Sequence, residues 1–345
     1  MRSHANPGDG VCTTDAGECT LRADIQEANV LAGADTIELP VGTYVLTIPG
    51  QNENLGATGD LDIIGTLTIV GEGAETTIID GNSLDRVFHI HFGANVTVSG
   101  VTVHNGNGTS GGGIFIDEGR LTLINSAVSG NTASLSGGGI FNDEAILTLT
   151  NSTVSGNTVN AGGGGVYNDE GTVTITNSIV SDNIANAAGG IFNDFGTLTL
   201  IDSSVSNNRV IEGFGGGIAH LGFRRLTLTN STVSGNEANV AGGGIFKDTD
   251  PFNMGTATLT NSTLSSNMVR EDGGAISVFS GIINVNNVTI TNNTADGDNN
   301  GSGNGGGIHN PGGTVNFKNC REHGPRRRRP GLFWDVDLPG AQPDP

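Results

Sequence analysis

The octet Asn151–Thr158, NSTVSGNT, returns almost unchanged as NSTVSGNE at Asn230–Glu237. Weaker copies lie between and around these two. The octet's first position is held by Asn125, Asn151, Asn177, Asn230, Asn261, Asn287 and Asn319, with Asp202 standing in once. Its last Asn falls at Asn131, Asn157, Asn183, Asn208, Asn236, Asn267 and Asn293. Such a repeat can be a ligand motif, a glycosylation signal of the N-x-[ST] kind, or a structural rung. A second element keeps the same beat. GGGIFIDEG at 111, GGGIFNDEA at 137 and GGGVYNDEG at 163 continue to GGGIHNPGG at 305. The apolar residue after the glycines is Ile114, Ile140, Val166, Ile191, Ile218, Ile245, Ile276 and Ile308, in steps of 26, 26, 25, 27, 27, 31 and 32 residues.

Each period alternates apolar and polar residues, as in Leu147-Thr148-Leu149-Thr150 and Val173-Thr174-Ile175-Thr176. That alternation has the period of a strand, and no period contains an amphipathic stretch of helix length. Three short strands per period are expected: the GGGIFN segment, the LTLT segment and the TVSG segment. Gly and Asn between them supply turns and left-handed backbone. The pattern describes one coil of a parallel β-helix, hydrogen-bonded to the next at roughly 4.8 Å. About ten such coils make an all-β solenoid rod about 50 Å long. Stacking places equivalent residues in columns, and an amide can bridge to the coils above and below. Asn151, Asn157, Asn177, Asn230 and Asn236 are therefore read as structural rungs, and the N-x-[ST] matches follow from the rung chemistry.

The ends differ from the repeats. Residues 1–34 form an N-terminal segment and cap, with a helix-compatible stretch from Arg22 to Ala32 that ends at Gly33 and places Ile25, Ala28 and Asn29 on one face. Residues 35–319 form the solenoid. Cys12 and Cys19 are seven apart, an easy span for a disulfide in an oxidising compartment; two free thiols and a metal pair are the alternatives. Cys19-Thr20-Leu21-Arg22-Ala23-Asp24-Ile25-Gln26-Glu27-Ala28-Asn29 resembles the CSLREA domain of bacterial surface proteins, departing from its motif at Thr20, Ala23 and Asp24. The Gly-rich repeats resemble those of chlamydial polymorphic outer-membrane proteins. The resemblance implies a right-handed parallel β-helix of the pectate-lyase-like superfold, an extracellular or cell-surface location, and a secretion signal upstream of this start. After Asn319 the composition changes abruptly. Residues 320–345 hold the only Trp, Trp334, four consecutive Arg and five of the ten Pro. Suitable codons, read one nucleotide later, encode a string of the repeats' own Gly/Ser/Thr/Asn character, so this tail is expected to be irregular and out of frame.

The formal net charge is −20 and the charged fraction only 14%. Lys247 and Lys318 are the only lysines. An acidic surface argues against nucleic-acid and other polyanionic partners. No apolar run is long enough to span a bilayer. Three constellations carry chemistry. Asp117, Asp143, Asp169 and Asp194 follow the Gly-rich strand and would stack as like charges, which Ca²⁺ could relieve; the alternative is an ordinary solvated turn. In Val87–Phe92, alternation puts His89 and His91 on one face and Phe88, Ile90 and Phe92 on the other. Two histidines can begin a zinc site, but a surface pair without a third ligand is expected. Arg224, Arg225 and Asp248 are the best enzymatic candidates, for a calcium-dependent polysaccharide lyase or hydrolase, but no catalytic motif accompanies them. The insertions at 248–255 and 296–303 are where a ligand would be sought. The reading is a secreted or surface-displayed structural or adhesin-like rod. Its partners would be extracellular polysaccharide or a host or neighbouring cell surface. No cofactor or catalytic residue is expected.

Overall fold

The computed structural model describes residues 1–323 apart from residues 4, 52, 250–254 and 298–302. Within it the chain winds into a parallel β-solenoid. The LTLT segments form an 11-stranded sheet from Ala34–Leu39 to Thr314–Lys318. The Gly-rich segments form a 10-stranded sheet from Leu61–Ile63 to Ile308–His309, and the TVS segments an 11-stranded sheet from Gly42–Val45 to Arg321–His323. Register follows the sequence period. Leu147 pairs with Leu121 below and Val173 above, and Val154 lies between Val128 and Val180. One continuous apolar column runs from Leu21 in the cap to Ile308. A strand buried on one face per coil contributes two or three such residues, each worth about 1.5–3 kcal/mol when fully covered.

The structure adds a fourth sheet to the three expected. Its seven strands run from Asn107–Ser110 to Met268–Val269, and most are two residues long. Alternation cannot register over two residues, so the sequence pattern does not reveal them. Small columns such as Ala133, Val159 and Ala185 pack beneath.

The two Asn columns have different physics. Asn125, Asn151, Asn177, Asn230, Asn261 and Asn287 are exposed or half-exposed and hold φ between 48° and 53°. Left-handed backbone favours Gly and Asn, and that conformation accounts for the residue type. Their amides also bridge coils: Asn177 Nδ2 donates to Asn151 Oδ1 at 2.6 Å, and Asn151 Nδ2 to Asn125 Oδ1 at 3.2 Å. Asp202 accepts from Asn230 at 3.0 Å. The octet's last Asn is buried instead. Asn157, Asn183, Asn208, Asn236 and Asn267 are each 0% exposed. Each Nδ2 donates to the next Asn Oδ1 and to a backbone carbonyl of the preceding coil, as Asn157 does to Asn183 Oδ1 and Val128 O, both at 3.0 Å. Each backbone N–H donates to that same Oδ1. A third column, of buried serines, lies beside the exposed Asn. Ser152 N–H donates to Ser178 Oγ at 3.0 Å, and Ser152 Oγ donates to Thr150 O at 2.8 Å. The glycines fit the amides: a Cβ on Gly139 would meet Gly165 O at 2.7 Å and Asn157 Nδ2 at 2.9 Å.

The helix is Leu21–Ala28, capped by Thr20, whose hydroxyl accepts from Ala23 N–H at 3.2 Å. It is shorter than the expected Arg22–Ala32. Asn29 leaves it to tie down the first coil, donating to Asp62 O at 2.7 Å and accepting from Ile64 N–H at 3.0 Å. Arg22 is fully buried and donates to the carbonyls of Gly56 at 2.6 Å, Asp60 at 2.8 Å and Gly59 at 2.5 Å. Gln26 joins it on Gly56 O at 3.0 Å. Glu27 accepts the N–H groups of Gly8 and Gly10. Arg22, Gln26 and Asn29 thus dock the cap onto the solenoid, and Glu27 ties the N-terminal segment to the helix. Cys12 and Cys19 are disulfide-bonded. At the other end, Arg321–His323 pairs in register with Thr289–Thr291, so the sheet runs four residues beyond Asn319. Trp334 and the arginine run lie outside the described residues. No helix among the described residues is long and apolar enough to cross a membrane.

Candidate functional site

Beneath the cap, Asp62, His89 and His91 converge. Asp62 and His89 are register partners on adjacent coils. Leu61 and Ile63 point into the core, so Asp62 points away from it. It is nevertheless 0% exposed, because the Asn29 side chain and the Gly56 backbone close over it. Its Oδ1 lies 2.6 Å from His91 Nε2 and 3.3 Å from His89 Nδ1, and its Oδ2 accepts from Gly56 N–H at 2.7 Å. The two imidazole centroids are 3.7 Å apart. His89 is 9% exposed, its Nε2 has no hydrogen-bond partner among the described residues, and its other face stacks on Phe115.

The expected surface pair without a third ligand is therefore corrected: the pair is largely covered and has Asp62 as its third member. The signal was available, because Asp62 precedes His89 by 27 residues, one solenoid step (89 − 62 = 27). The expected face for Phe92 is also corrected. The strand ends at Ile90, and Phe92 is 73% exposed.

Charge accumulates around this cluster. Arg86 Nε lies 3.3 Å from Asp60 Oδ2 and 3.9 Å from Asp85 Oδ1, with its guanidinium over the Phe115 ring. Burial and the nearby Asp62 charge push the Asp60 carboxyl well above the usual range. Burial also opposes the Asp62 charge, but hydrogen bonds from His89, His91 and Gly56 hold its pKa below the ordinary value. Burial lowers the His89 pKa.

The acidic row stacks as expected: Asp117 pairs with Asp143, and Glu118, Glu144 and Glu170 occupy left-handed turns at φ 47°, 47° and 50°. Tyr167 donates to Asp194 Oδ2 at 2.9 Å. Partial burial and the neighbouring Asp194 and Asp143 charges raise the Asp169 pKa to about 6. A raised carboxyl binds its proton more tightly in the folded chain, so its cost to stability grows as pH climbs from about 4 to about 6. Asp169→Asn is expected to be more stable than the parent at pH 7.5, with the gap closing towards pH 4.5 and shrinking in high salt. Paired thermal melts across that range check this; a gap unchanged by pH would contradict it. Among the described residues, three or more donors come within 4.8 Å of one another only at Asp62–His89–His91 and at Cys12–Cys19–Asp24, whose sulfurs are bonded to each other. The acidic row forms no such cluster.

Beside the row runs a ladder of rings: Phe115, Phe141, Tyr167 and Phe192, at centroid spacings of 5.3, 5.3 and 4.8 Å. Phe214 fills in over Ala219 and continues to Phe246 at 4.2 Å. The rings contact one another.

The enzymatic candidates do not converge. The Arg224 guanidinium lies over Phe223, Arg225 is exposed, and the Asp248 carboxylate accepts from Thr249 N–H and Ser280 Oγ. Among the described residues, Asp248 pairs with no arginine. Next to them the structure reveals a buried polar column. Asn142 donates to Asn168 at 2.7 Å, Asn168 to Asn193 at 2.5 Å, and Asn193 to His220 Nδ1 at 2.7 Å. His220 Nε2 then donates to Arg224 O at 3.1 Å, so the ring is neutral, and burial lowers its pKa to about 3. Lys247 follows, 0% exposed, donating to Gly222 O at 3.2 Å and Asp248 O at 3.1 Å, with its pKa lowered to about 8 by burial.

No family model matches the chain, and no similar curated protein or solved structure is found.

Proposed function

We propose that the chain is a secreted or cell-surface structural rod of adhesin-like character that meets extracellular polysaccharide or a neighbouring cell surface along its sides. One observation carries the reading. The same side chain recurs at the same place on successive coils, so the surface is built from rows of acids, amides and rings. Repetition along an axis suits extended contact and spacing, and a catalytic centre needs unlike groups brought to one point. The cap's docking by Arg22, Gln26 and Asn29 fits the resemblance to CSLREA-type surface proteins.

Lys247 favours a second reading. Burial lowers the pKa of this lysine to about 8, nearer to that of a general base than an ordinary lysine has, and the inserted residues 250–254 that follow Asp248 and Thr249 lie outside the described residues. A polysaccharide lyase or hydrolase is therefore the rival. The test is incubation with plant and bacterial polysaccharides, with and without Ca²⁺, following both retention and new chain ends. Retention without new ends is expected. Calcium-dependent cleavage, lost on replacing Arg224 and Arg225 with alanine, would overturn the rod and place a lyase on it.

A further inference from the structure

The cluster beneath the cap has a use that the rod does not require. We propose that Asp62, His89 and His91 form a binding site for a divalent transition-metal ion of the Zn²⁺ class, joining the first two coils below the helix.

The donor set is two imidazole nitrogens and one carboxylate oxygen, which suits zinc and its neighbours and not Ca²⁺ or Mg²⁺. Ligands held tetrahedrally at about 2.0–2.1 Å stand about 3.3 Å apart. His89 Nδ1 is already 3.3 Å from Asp62 Oδ1. His91 Nε2 is closer, at 2.6 Å, a hydrogen bond that opens by about 0.7 Å when both atoms turn to a shared ion. His91 stands just past the end of its strand, and its side chain is 16% exposed.

The carboxylate is prepositioned from behind. Gly56 N–H holds Asp62 Oδ2, leaving Oδ1 for the ion, which is the supporting arrangement that metal ligands need. His89 is held against Phe115 with its Nδ1 turned to Asp62, and its Nε2 has no hydrogen-bond partner among the described residues. Three protein ligands leave one tetrahedral position open, and the His91 side chain, 16% exposed, marks the side from which water can reach it.

The competing account is a closed hydrogen-bonded triad, with both imidazoles donating to Asp62 and no ion bound. Co²⁺ separates the two accounts, because it is a spectroscopic stand-in for zinc. The full chain, stripped with chelator, is titrated with Co²⁺ and then with Zn²⁺. The expected result is one Co²⁺ per chain with intense visible bands of a four-coordinate ion, lost on adding Zn²⁺. His91→Gln, at the most accessible ligand, is expected to weaken binding more than about tenfold while keeping the parent circular dichroism. Asp62→Asn provides a second variant if the first does not fold. Absence of visible bands in the parent would overturn the proposal. So would parent-like Co²⁺ binding by a folded ligand variant, which would place the ion elsewhere, for instance at His309 and Asp272.

Discussion

Asn183→Ala is expected to lower the free energy of unfolding by about 4 kcal/mol. The side chain makes four hydrogen bonds inside the solenoid. Its Oδ1 accepts both the backbone N–H and Nδ2 of Asn157, each at 3.0 Å. Its Nδ2 donates to Val154 O at 3.0 Å and Asn208 Oδ1 at 2.9 Å. Alanine leaves the Asn157 N–H without its acceptor in a place that water does not reach, and unmade buried bonds cost about 1–3 kcal/mol each. The loss propagates to the neighbours, because each coil is stabilised mainly by the coils next to it. Urea unfolding followed by far-ultraviolet circular dichroism checks this. A midpoint within experimental scatter of the parent would contradict it.

Arg22→Met is the second large effect, expected at about 3–4 kcal/mol. Methionine keeps much of the volume and removes the guanidinium. The carbonyls of Gly56, Gly59 and Asp60 then lose their shared donor. Asp60 and Asp62 also lose the buried positive charge that offsets them. The rest of the rod does not depend on this contact, so the damage is local. Hydrogen exchange is expected to rise across residues 53–64 and in the helix Leu21–Ala28, while the coils around Asn208 keep their protection. Uniform loss of protection along the chain would contradict a docking role for Arg22, and unchanged exchange at 53–64 would remove it.

The repeats made the solenoid legible because the core alternation is strict. Leu121, Leu147, Val173 and Leu198 fall on one beat with polar neighbours between them, and each proves buried in register. The exposed Asn column was legible for the same reason. Its partner column was legible as a column but not as buried, because nothing in NSTVSGNT distinguishes an Asn in a left-handed turn from one folded inward against the glycines of the GGG segment. The serine ladder hid in the middle letter of the N-x-[ST] motif. The fourth sheet was too short to leave a pattern. The histidine cluster failed for another reason. Strand alternation places His89 and Asp62 on the outer face, and alternation does not show that Asn29 of the cap and the Gly56 turn cover Asp62.

The rung reading of the octet is the claim on which the rest stands, and it distinguishes the octet's two asparagines. Paired urea unfolding of Asn177→Gly and Asn183→Gly tests it most directly. Asn177 sits at φ 48° with an exposed amide, so glycine accepts its backbone and the change is expected to stay within about 1 kcal/mol. Asn183 is buried with four side-chain bonds, and the same substitution is expected to cost about 4 kcal/mol or more. A large gap between the two is the predicted result. Equal effects at the two positions, whether both small or both large, would contradict the account.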